Sequence, residues 1–383
     1  MKKTLPLLLA MILALGADAA WAQGKFSGIV FGDYFYNAAR DTNFYKGNLP
    51  NAANGGPESN QGFLIRRINF SYDYDIAEDF ATRFRLEADA SGGPNGDVDV
   101  AHKLTVYIKD AWLRWKKAFG SNDLIFGVQP TPAFDISESA WSYRNVEKTI
   151  MDLRGIVSSR GLGFGMRGNF DQSGSVNYWL LISNQGNGSV PKDLSSALSN
   201  GDKYNQYGLL IQVKPTKEFF VTVYGDYRPT YPVNDPTSTA VPKATVSHGT
   251  ITGAAFLNYT QADKFSVGLE GFMQSTAHSY ALPSDPTALK SLTRMGVSIW
   301  AWANFDPMVS GLLRFDTFNP VTGSDNLEKG DSRNYIIAGV AFKPIKQFQL
   351  IPNVVVETYE SVPDGGPSYD ASVTGRLTFS YSF

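Results

Sequence analysis

Cysteine is absent from the 383-residue chain, and histidine occurs only three times. Without cysteine, the chain can have neither a disulfide framework nor thiolate chemistry. The three histidines are His102, His248 and His278, and no two of them have the spacing of zinc ligands. We therefore predict neither a metal site nor any other cofactor.

Long apolar runs and a strong charge of one sign are also missing. The chain has 34 Lys and Arg residues against 36 Asp and Glu residues, and this near balance argues against a nucleic-acid partner. After residue 22, no uninterrupted apolar run reaches the ~18 residues that a membrane-spanning helix requires. No Pro- or Ser-rich linker divides the chain, which favours a single domain over residues 23–383.

The N-terminus has the features of a secretory signal peptide. Lys2 and Lys3 precede a short apolar run over residues 7–15, and Ala20-Trp21-Ala22 is an Ala-x-Ala cleavage site. The apolar run is too short to remain in a bilayer as a spanning helix. We therefore predict that residues 1–22 are removed on secretion.

Residues 371–383 alternate between apolar and polar side chains, which is the pattern of a β-strand. The apolar face ends in Phe379, Tyr381 and Phe383, whereas the polar face includes Arg376. Because a sandwich core would not accept this arginine, we expect one face to meet lipid and the other to meet water. The segment resembles the C-terminal strand of bacterial outer-membrane barrels, in which a terminal Phe is recognised by the barrel assembly machinery. This resemblance implies a location in the outer membrane of a Gram-negative bacterium.

The same period of two recurs along the whole mature chain, and short and long connections alternate between the segments. Seven short turns and eight long loops place both termini on the turn side, which in an outer-membrane barrel is the periplasm. The sequence therefore predicts an all-β fold, a transmembrane antiparallel β-barrel of about 16 strands. The predicted strands are 25–36, 61–76, 80–90, 103–116, 122–130, 160–170, 173–184, 203–214, 217–228, 246–260, 262–275, 292–305, 307–318, 332–343, 347–359 and 369–383.

Charged residues keep to one face of these segments, which we predict to be the lumen. In the fourth segment the apolar parity changes between Ile108 and Ala111, which indicates a bulge near Lys109-Asp110. Five of the basic residues lie on segments two to four, and this basic sector either pairs with neighbouring carboxylates or lowers the barrier for anions. The predicted pore-lining residues are Arg67, Arg83, Arg85, Lys109, Arg114, Arg167, Arg314, Arg376, Asp226, Glu270, Asp316 and Glu357.

The third long loop, over residues 131–159, mixes apolar residues with many charges. A loop that only met water would not need its apolar residues, so we predict that it folds into the barrel and constricts the pore. The alternative is a surface loop with a short amphipathic helix. The charges that the constriction would present are Asp135, Glu138, Arg144, Glu147, Lys148, Asp152 and Arg154.

A family resemblance covers the start of this loop. The stretch from Gly127 through Gln129-Pro130-Thr131-Pro132 to the Tyr143–Lys148 segment resembles the strand-to-loop region of porins related to the phosphate-selective O/P group. The resemblance implies a sixteen-stranded, homotrimeric porin that contacts outer-membrane lipid and passes small hydrophilic solutes or inorganic anions. The lysine- and arginine-rich pathway of the phosphate-selective members is not seen in this sequence.

These observations favour a non-enzymatic channel for passive diffusion, with a modest preference for anions such as phosphate. Two other classes of protein remain open. An outer-membrane hydrolase would need a Ser/His/acid set, for which His248 is the histidine placed to serve. A structural or adhesive barrel would have a plugged lumen.

Overall fold

The computed structural model describes residues 24–41, 58–89, 104–185, 204–282, 285–321, 332–360 and 369–383. The predicted signal peptide, residues 1–22, lies outside the described residues. So does most of the predicted loops 37–60, 185–202 and 319–331.

The described residues form sixteen strands, and each strand pairs antiparallel with the next along the chain until the last pairs with the first. This closed barrel confirms the predicted fold class. The first eight strands are β1 Lys25–Ala39, β2 Gln61–Ala77, β3 Phe80–Asp89, β4 Thr105–Phe119, β5 Asn122–Pro130, β6 Arg160–Asn169, β7 Val176–Ser183 and β8 Gln206–Val213. The others are β9 Phe219–Asn234, β10 Thr245–Gln261, β11 Phe265–Leu282, β12 Asp285–Asn304, β13 Val309–Asn319, β14 Arg333–Ile345, β15 Phe348–Tyr359 and β16 Ser372–Ser382.

Two short helices, α1 Asp135–Trp141 and α2 Ile150–Leu153, lie between β5 and β6. No helix in the described part of the chain is long and apolar enough to cross a membrane.

The two ends of the chain close the barrel. The Gly28 N–H donates a hydrogen bond to the Phe383 carbonyl at 2.9 Å, and the Phe383 N–H donates to the Gly28 carbonyl at 3.1 Å. From there β16 runs alongside β1, with Ile29 opposite Ser382. The described sheet is therefore continuous around the barrel and has no edge strand.

Burial in the strands is inverted relative to a water-soluble protein. On β12, Val297 and Ile299 are 46% and 48% exposed, whereas Ser298 between them is 1% exposed. On β13, Phe315 is exposed and Asp316 is fully buried. Apolar side chains thus cover the outside and polar side chains the inside, which is the arrangement expected of a barrel surrounded by lipid.

The strand boundaries differ most from the prediction in β9, β11 and β12. β9 extends to Asn234, and only two residues separate the end of β11 from the start of β12. The predicted long loop 276–291 is therefore largely strand, with Tyr280 opposite Lys290, for example. Of the predicted loop 229–245, residues 229–234 and Thr245 belong to strands. Strand pairing that extends into water does not require apolar residues on one face. The criterion of alternating apolar residues therefore underestimated the lengths of these strands.

The predicted bulge in β4 is confirmed. Arg85 lies opposite Asp110 and Leu86 lies opposite Ile108, so that Lys109 is the extra residue. The side chains of Lys109 and Asp110 both contact charged residues on the inner face of the wall. The bulge therefore brings two consecutive charges to the same face of the sheet.

A second bulge, in β2, was not predicted. Phe31 lies opposite Arg67 and Gly32 lies opposite Ile65, which leaves Arg66 as the extra residue. Simple alternation would have turned Arg66 outward, but the bulge lets it join Arg67 on the inner face, where it pairs with Asp33 at 2.7 Å.

The inverted burial makes a prediction about stability in lipid. We expect Val297→Arg to lower the free energy of unfolding by ~2–4 kcal/mol, because Val297 is on the exposed apolar face. The matched control is Asn69→Arg, since Asn69 lines the interior on β2 and an arginine there stays in water. Urea unfolding in lipid vesicles measures both, and equal losses would contradict the assignment of faces.

Candidate functional site

The segment between β5 and β6, residues 131–159, packs against inward-facing side chains; we call it the β5–β6 loop. Trp141 and Val146 are fully buried in one apolar cluster, and Ile150 is fully buried in a second. The loop thus makes a hydrophobic core with one half of the barrel wall. The wall contributes residues from every strand between β7 and β15: Trp179, Leu210, Tyr224, Phe256, Phe272, Trp300, Leu312, Phe318, Tyr335, Ile337, Ala341, Ile351 and Val355.

Polar contacts fasten the loop to the same half of the wall, and many of them end on backbone carbonyls. Gln274 donates to the Ile156 carbonyl at 2.8 Å, and Trp302 donates to the Ala140 carbonyl at 3.2 Å. Further donors to loop carbonyls are Arg228, which reaches Ile156, and Arg314, which reaches Lys148. Side-chain contacts add Ser137 to Glu270 at 3.2 Å and Arg154 to Glu357 at 3.0 Å.

The middle of the loop contacts β14, β16 and β2, which lie near the closure of the barrel. Glu147 accepts a hydrogen bond from the Tyr335 hydroxyl at 2.9 Å and lies 3.6 Å from Arg376 on β16. Arg66, at the β2 bulge, donates to the carbonyls of Asn145 and Val146. The loop is therefore held by strands from β7 round to β16 and, beyond β1, by β2 as well.

Glu147 is ionised in this setting. Burial by itself would raise the pKa of this carboxyl group. The guanidinium groups of Arg376 and Arg66, with hydrogen bonds from the Tyr335 hydroxyl and the Lys148 N–H, instead lower the pKa to about 2. The carboxylate thus gains more from its partners in the folded protein than it loses by burial.

Open space remains between the loop and the other half of the wall, β1 to β6, as a chamber of about 440 Å³. Four cations of the wall line it, and they share two carboxylates in pairs. Glu87 lies 3.4 Å from Arg67 and 3.0 Å from Lys109. Asp110 lies 3.2 Å from Arg85 and 2.5 Å from Arg160. Both carboxylates are buried, and Glu87 is itself among the residues that line the chamber.

The loop forms the opposite side of the chamber. It contributes Asp135, Glu138, Asp152 and Arg144. Arg144 lies 2.8 Å from Glu138 and 3.2 Å from Asp152. Among the described residues, Asp135 has no ion-pair partner. Charges of opposite sign thus face one another across the chamber.

Other basic residues predicted to line the pore lie on the inner wall outside this chamber. Arg83 pairs with Asp73 at 2.6 Å, Arg114 pairs with Asp123, and Arg167 lies 3.4 Å from the centre of the Trp179 ring. Arg314 and Arg376 are buried against the β5–β6 loop.

The four predicted carboxylates of β9 to β15 are buried, and they contact the loop or neighbouring wall residues. Glu270 and Glu357 contact loop side chains, Asp316 pairs with Arg314 at 2.5 Å, and Asp226 accepts from Tyr224 at 2.9 Å. The sequence predicted that these groups line an open pore. In the structure the loop lies over that half of the wall, so that the negative side of the chamber comes from the loop itself.

Sequence reasoning missed Arg66 and Arg160 among the residues that shape the site. The signal for Arg66 was available, since the apolar parity of β2 changes from Phe63 and Ile65 to Ile68 and beyond. Arg160 is the first residue of β6, where a period of two does not yet determine a face.

Solved structures share this fold at low sequence identity. The anion-selective porin from Comamonas acidovorans matches with a TM-score of 0.58 and 13% identity, over 94% of this chain and 100% of the porin. The outer membrane channel DcaP of Acinetobacter baumannii matches with a TM-score of 0.62 and 12% identity, over 95% and 98%. The trimer form of OmpT, an outer membrane protein of Vibrio cholerae, matches with a TM-score of 0.55 and 11% identity, over 94% and 99%.

At these identities the comparison establishes a common fold, the closed antiparallel β-barrel, and not a common activity. No family model and no curated protein sequence matches the chain.

The pKa of Glu147 leads to a prediction about stability and pH. At pH 7 we expect Glu147→Gln to cost about 3–5 kcal/mol, because it leaves the charges of Arg66 and Arg376 less compensated. The folded-state pKa lies below the ordinary value of 4.5, so the contribution is complete above that value and is lost as the pH falls towards about 2.

The measurement is the difference in unfolding free energy between wild type and Glu147→Gln from pH 7 to pH 2. Glu218→Gln, at an exposed turn, is the control and should change little. A wild-type advantage that stays constant over this range would contradict the assignment.

Proposed function

We propose that the protein is an outer-membrane porin, a water-filled channel for passive diffusion of small hydrophilic solutes. The observation that supports this best is the charged chamber of about 440 Å³, enclosed between the β5–β6 loop and the β1–β6 wall of a barrel with an apolar exterior. The shared fold with proteins named as porins and channels supports the same proposal.

In this proposal the β5–β6 loop is the constriction. Its apolar residues and α1 fill the β7–β15 half of the lumen, so a solute passes along the β1–β6 half, between wall cations and loop carboxylates. The protein forms no bond with the solute. It lowers the barrier by supplying charged and polar groups in place of bulk water, inside walls of low dielectric constant that focus the field.

The proposal includes a modest preference for anions, phosphate among them. The four wall cations outnumber the two carboxylates that they share, so the surface that a solute meets on this side is positive on balance. One of the proteins with the same fold is named as an anion-selective porin, which agrees with this direction. Three members of the predicted basic sector, Arg67, Arg85 and Lys109, pair with carboxylates and also contribute to this positive surface, whereas Arg83 and Arg114 lie outside the chamber.

The cellular setting follows from the same proposal. Residues 1–22 would be removed on export, the barrel would enter the outer membrane of a Gram-negative bacterium with both termini in the periplasm, and the strand ending at Phe383 would contact the assembly machinery. A homotrimer is part of the proposal, and a trimer form is named for one protein with this fold.

The two alternative classes have less support. The Nδ1 atom of His248 lies 2.6 Å from the Ala277 carbonyl oxygen, so this histidine is engaged with the backbone of the neighbouring strand. In the described part of the chain, no group of three His, Asp or Glu side chains could hold a metal. A plugged structural barrel is disfavoured by the chamber that the loop leaves open.

Ion selectivity in planar bilayers tests the proposal. We expect Arg85→Ala to shift the KCl reversal potential towards K⁺, and the shift should be larger at 0.1 M than at 1 M salt, where screening acts over about 3 Å instead of 10 Å. Arg83→Ala is the matched control on the same strand, because Arg83 pairs with Asp73 outside the residues that line the chamber. A wild-type protein without ion current would contradict the porin proposal, and equal shifts in both variants would contradict the role of the chamber.

A further inference from the structure

We infer that His248 and His278 form a binding site for one divalent transition-metal ion, of the class of Zn²⁺ or Cu²⁺, on the long-loop side of the barrel. Each imidazole ring gives one nitrogen atom to the ion, and water completes its coordination. The inference does not rest on the proposed function, because both histidines lie outside the residues that line the chamber and no flow of solutes is required.

The two histidines are far apart in the chain, but strand pairing makes them neighbours. The described pairing of β10 with β11 runs as far as Gly249 opposite Ala277, so that the next residue on each strand is one of the two histidines. On the other side of this pair, the hydroxyl groups of Thr250 and Thr276 meet at 3.0 Å. Side chains two residues apart on a strand share a face, so the histidines and these threonines belong to the same face of the sheet.

Each ring contacts the backbone of the opposite strand through its Nδ1 atom. The Nδ1 atom of His248 lies 2.6 Å from the Ala277 carbonyl oxygen, and that of His278 lies 2.6 Å from the Ser247 carbonyl oxygen. Because a carbonyl oxygen can only accept a hydrogen bond, each Nδ1 atom must carry the hydrogen. In a neutral imidazole the other ring nitrogen, Nε2, then keeps a free lone pair, and this is the form that binds metal ions.

This arrangement is the one that metal-binding histidines usually have. A ligating imidazole commonly donates its other ring N–H to a backbone carbonyl or a carboxylate, which fixes the tautomer and the orientation of the ring. Here both rings are fixed in this way at opposite positions of two paired strands. Both side chains are also partly exposed, so that an ion from solution can reach them.

The backbone at His278 is unusual for a strand. Its φ angle of 49° lies in the left-handed region, which is uncommon for residues other than glycine. The pairing of β11 with β12 shifts between Thr276 and Tyr280, where residues 277–279 face residue 291 alone. His278 therefore sits in a bulge, and such bulges re-aim side chains and are frequent beside functional sites.

The donor atoms decide which ions fit. Imidazole nitrogen suits Zn²⁺, Cu²⁺ and Ni²⁺, whereas Mg²⁺ and Ca²⁺ prefer oxygen ligands. Within the part of the chain that the structure describes, no third His, Asp or Glu side chain completes a metal-binding group. Water molecules therefore fill the remaining positions, and we expect an ion that binds reversibly.

Copper binding to the purified protein, prepared without an affinity tag, tests the inference directly. One equivalent of Cu²⁺ is added at about pH 7.5, where free imidazole is neutral, and electron paramagnetic resonance counts the nitrogen ligands from the hyperfine splitting. We expect two nitrogen donors on one ion per chain, and calorimetric titration with Zn²⁺ should give the same stoichiometry. Mg²⁺ should produce no heat of binding, because it prefers oxygen ligands.

His248→Gln and His278→Asn each remove one ligand. Asparagine tolerates the left-handed backbone at position 278 better than most residues, so this variant should keep the fold. Each change should weaken Zn²⁺ binding about tenfold or more, since the loss of an outer-shell partner alone costs a metal site that much. Each should also leave a single nitrogen donor on Cu²⁺. His102→Gln is the matched control, because it removes the remaining histidine of the chain and should change neither result.

A wild-type spectrum with one nitrogen donor, or with none, overturns the inference without any variant. Zn²⁺ binding that keeps its full strength in His278→Asn, or that is lost in His102→Gln, also overturns it, because the ion would then lie elsewhere. The two rings would in that case serve only as hydrogen-bond donors between strands. Two nitrogen donors in the wild type, reduced to one in each variant of the pair, support the site.

Discussion

The rest of the structure depends on the satisfaction of backbone hydrogen bonds within a closed sheet. Lipid offers no donor or acceptor to a strand edge, so a sheet with an apolar exterior must close on itself. Here the reciprocal hydrogen bonds between Gly28 and Phe383 begin the last pairing, between β1 and β16. Closure fixes the alternation of faces, and the alternation, together with the bulges at Arg66 and Lys109, turns the charged side chains of the chamber wall inward.

A ring of sixteen strands is too wide for its own side chains to fill, and this chain solves the problem differently on its two halves. Along β7–β15 the inner wall includes Phe256, Trp300 and Ile337, which form a dry core with the β5–β6 loop. Along β1–β6 the inner wall is charged and remains in contact with the open chamber. One half of the barrel is therefore packed as a protein interior, and the other half stays available to water.

Local patterns predicted the parts of this architecture that depend on the contrast between lipid and water. Sixteen strands and the Lys109 bulge follow from apolar parity alone. Arg66 was missed although the apolar parity of β2 changes across it, and the ends of β9, β11 and β12 were missed because they pair where no lipid imposes a pattern.

The site was less accessible to prediction, since its contacts join residues far apart in the chain. Parity shows that Glu270 and Asp316 point inward, but only the path of the β5–β6 loop shows that they are covered. The same path brings Glu138 and Asp152 of the loop to the chamber, and these two carboxylates line it in place of Glu270 and Asp316. A loop that packs on nine strands at once has no local signature for its partners.

Many of the polar contacts between the wall and the β5–β6 loop end on the backbone of the loop, through donors that reach the carbonyls of Ala140, Asn145, Val146, Lys148 and Ile156. A carbonyl is present whatever the side chain, so these attachments do not depend on the identity of the residues held. The chamber-facing side chains of the loop are thus free to diverge in evolution while the course of the loop is maintained. Such a barrel can change which solutes it admits without having to evolve a new shape.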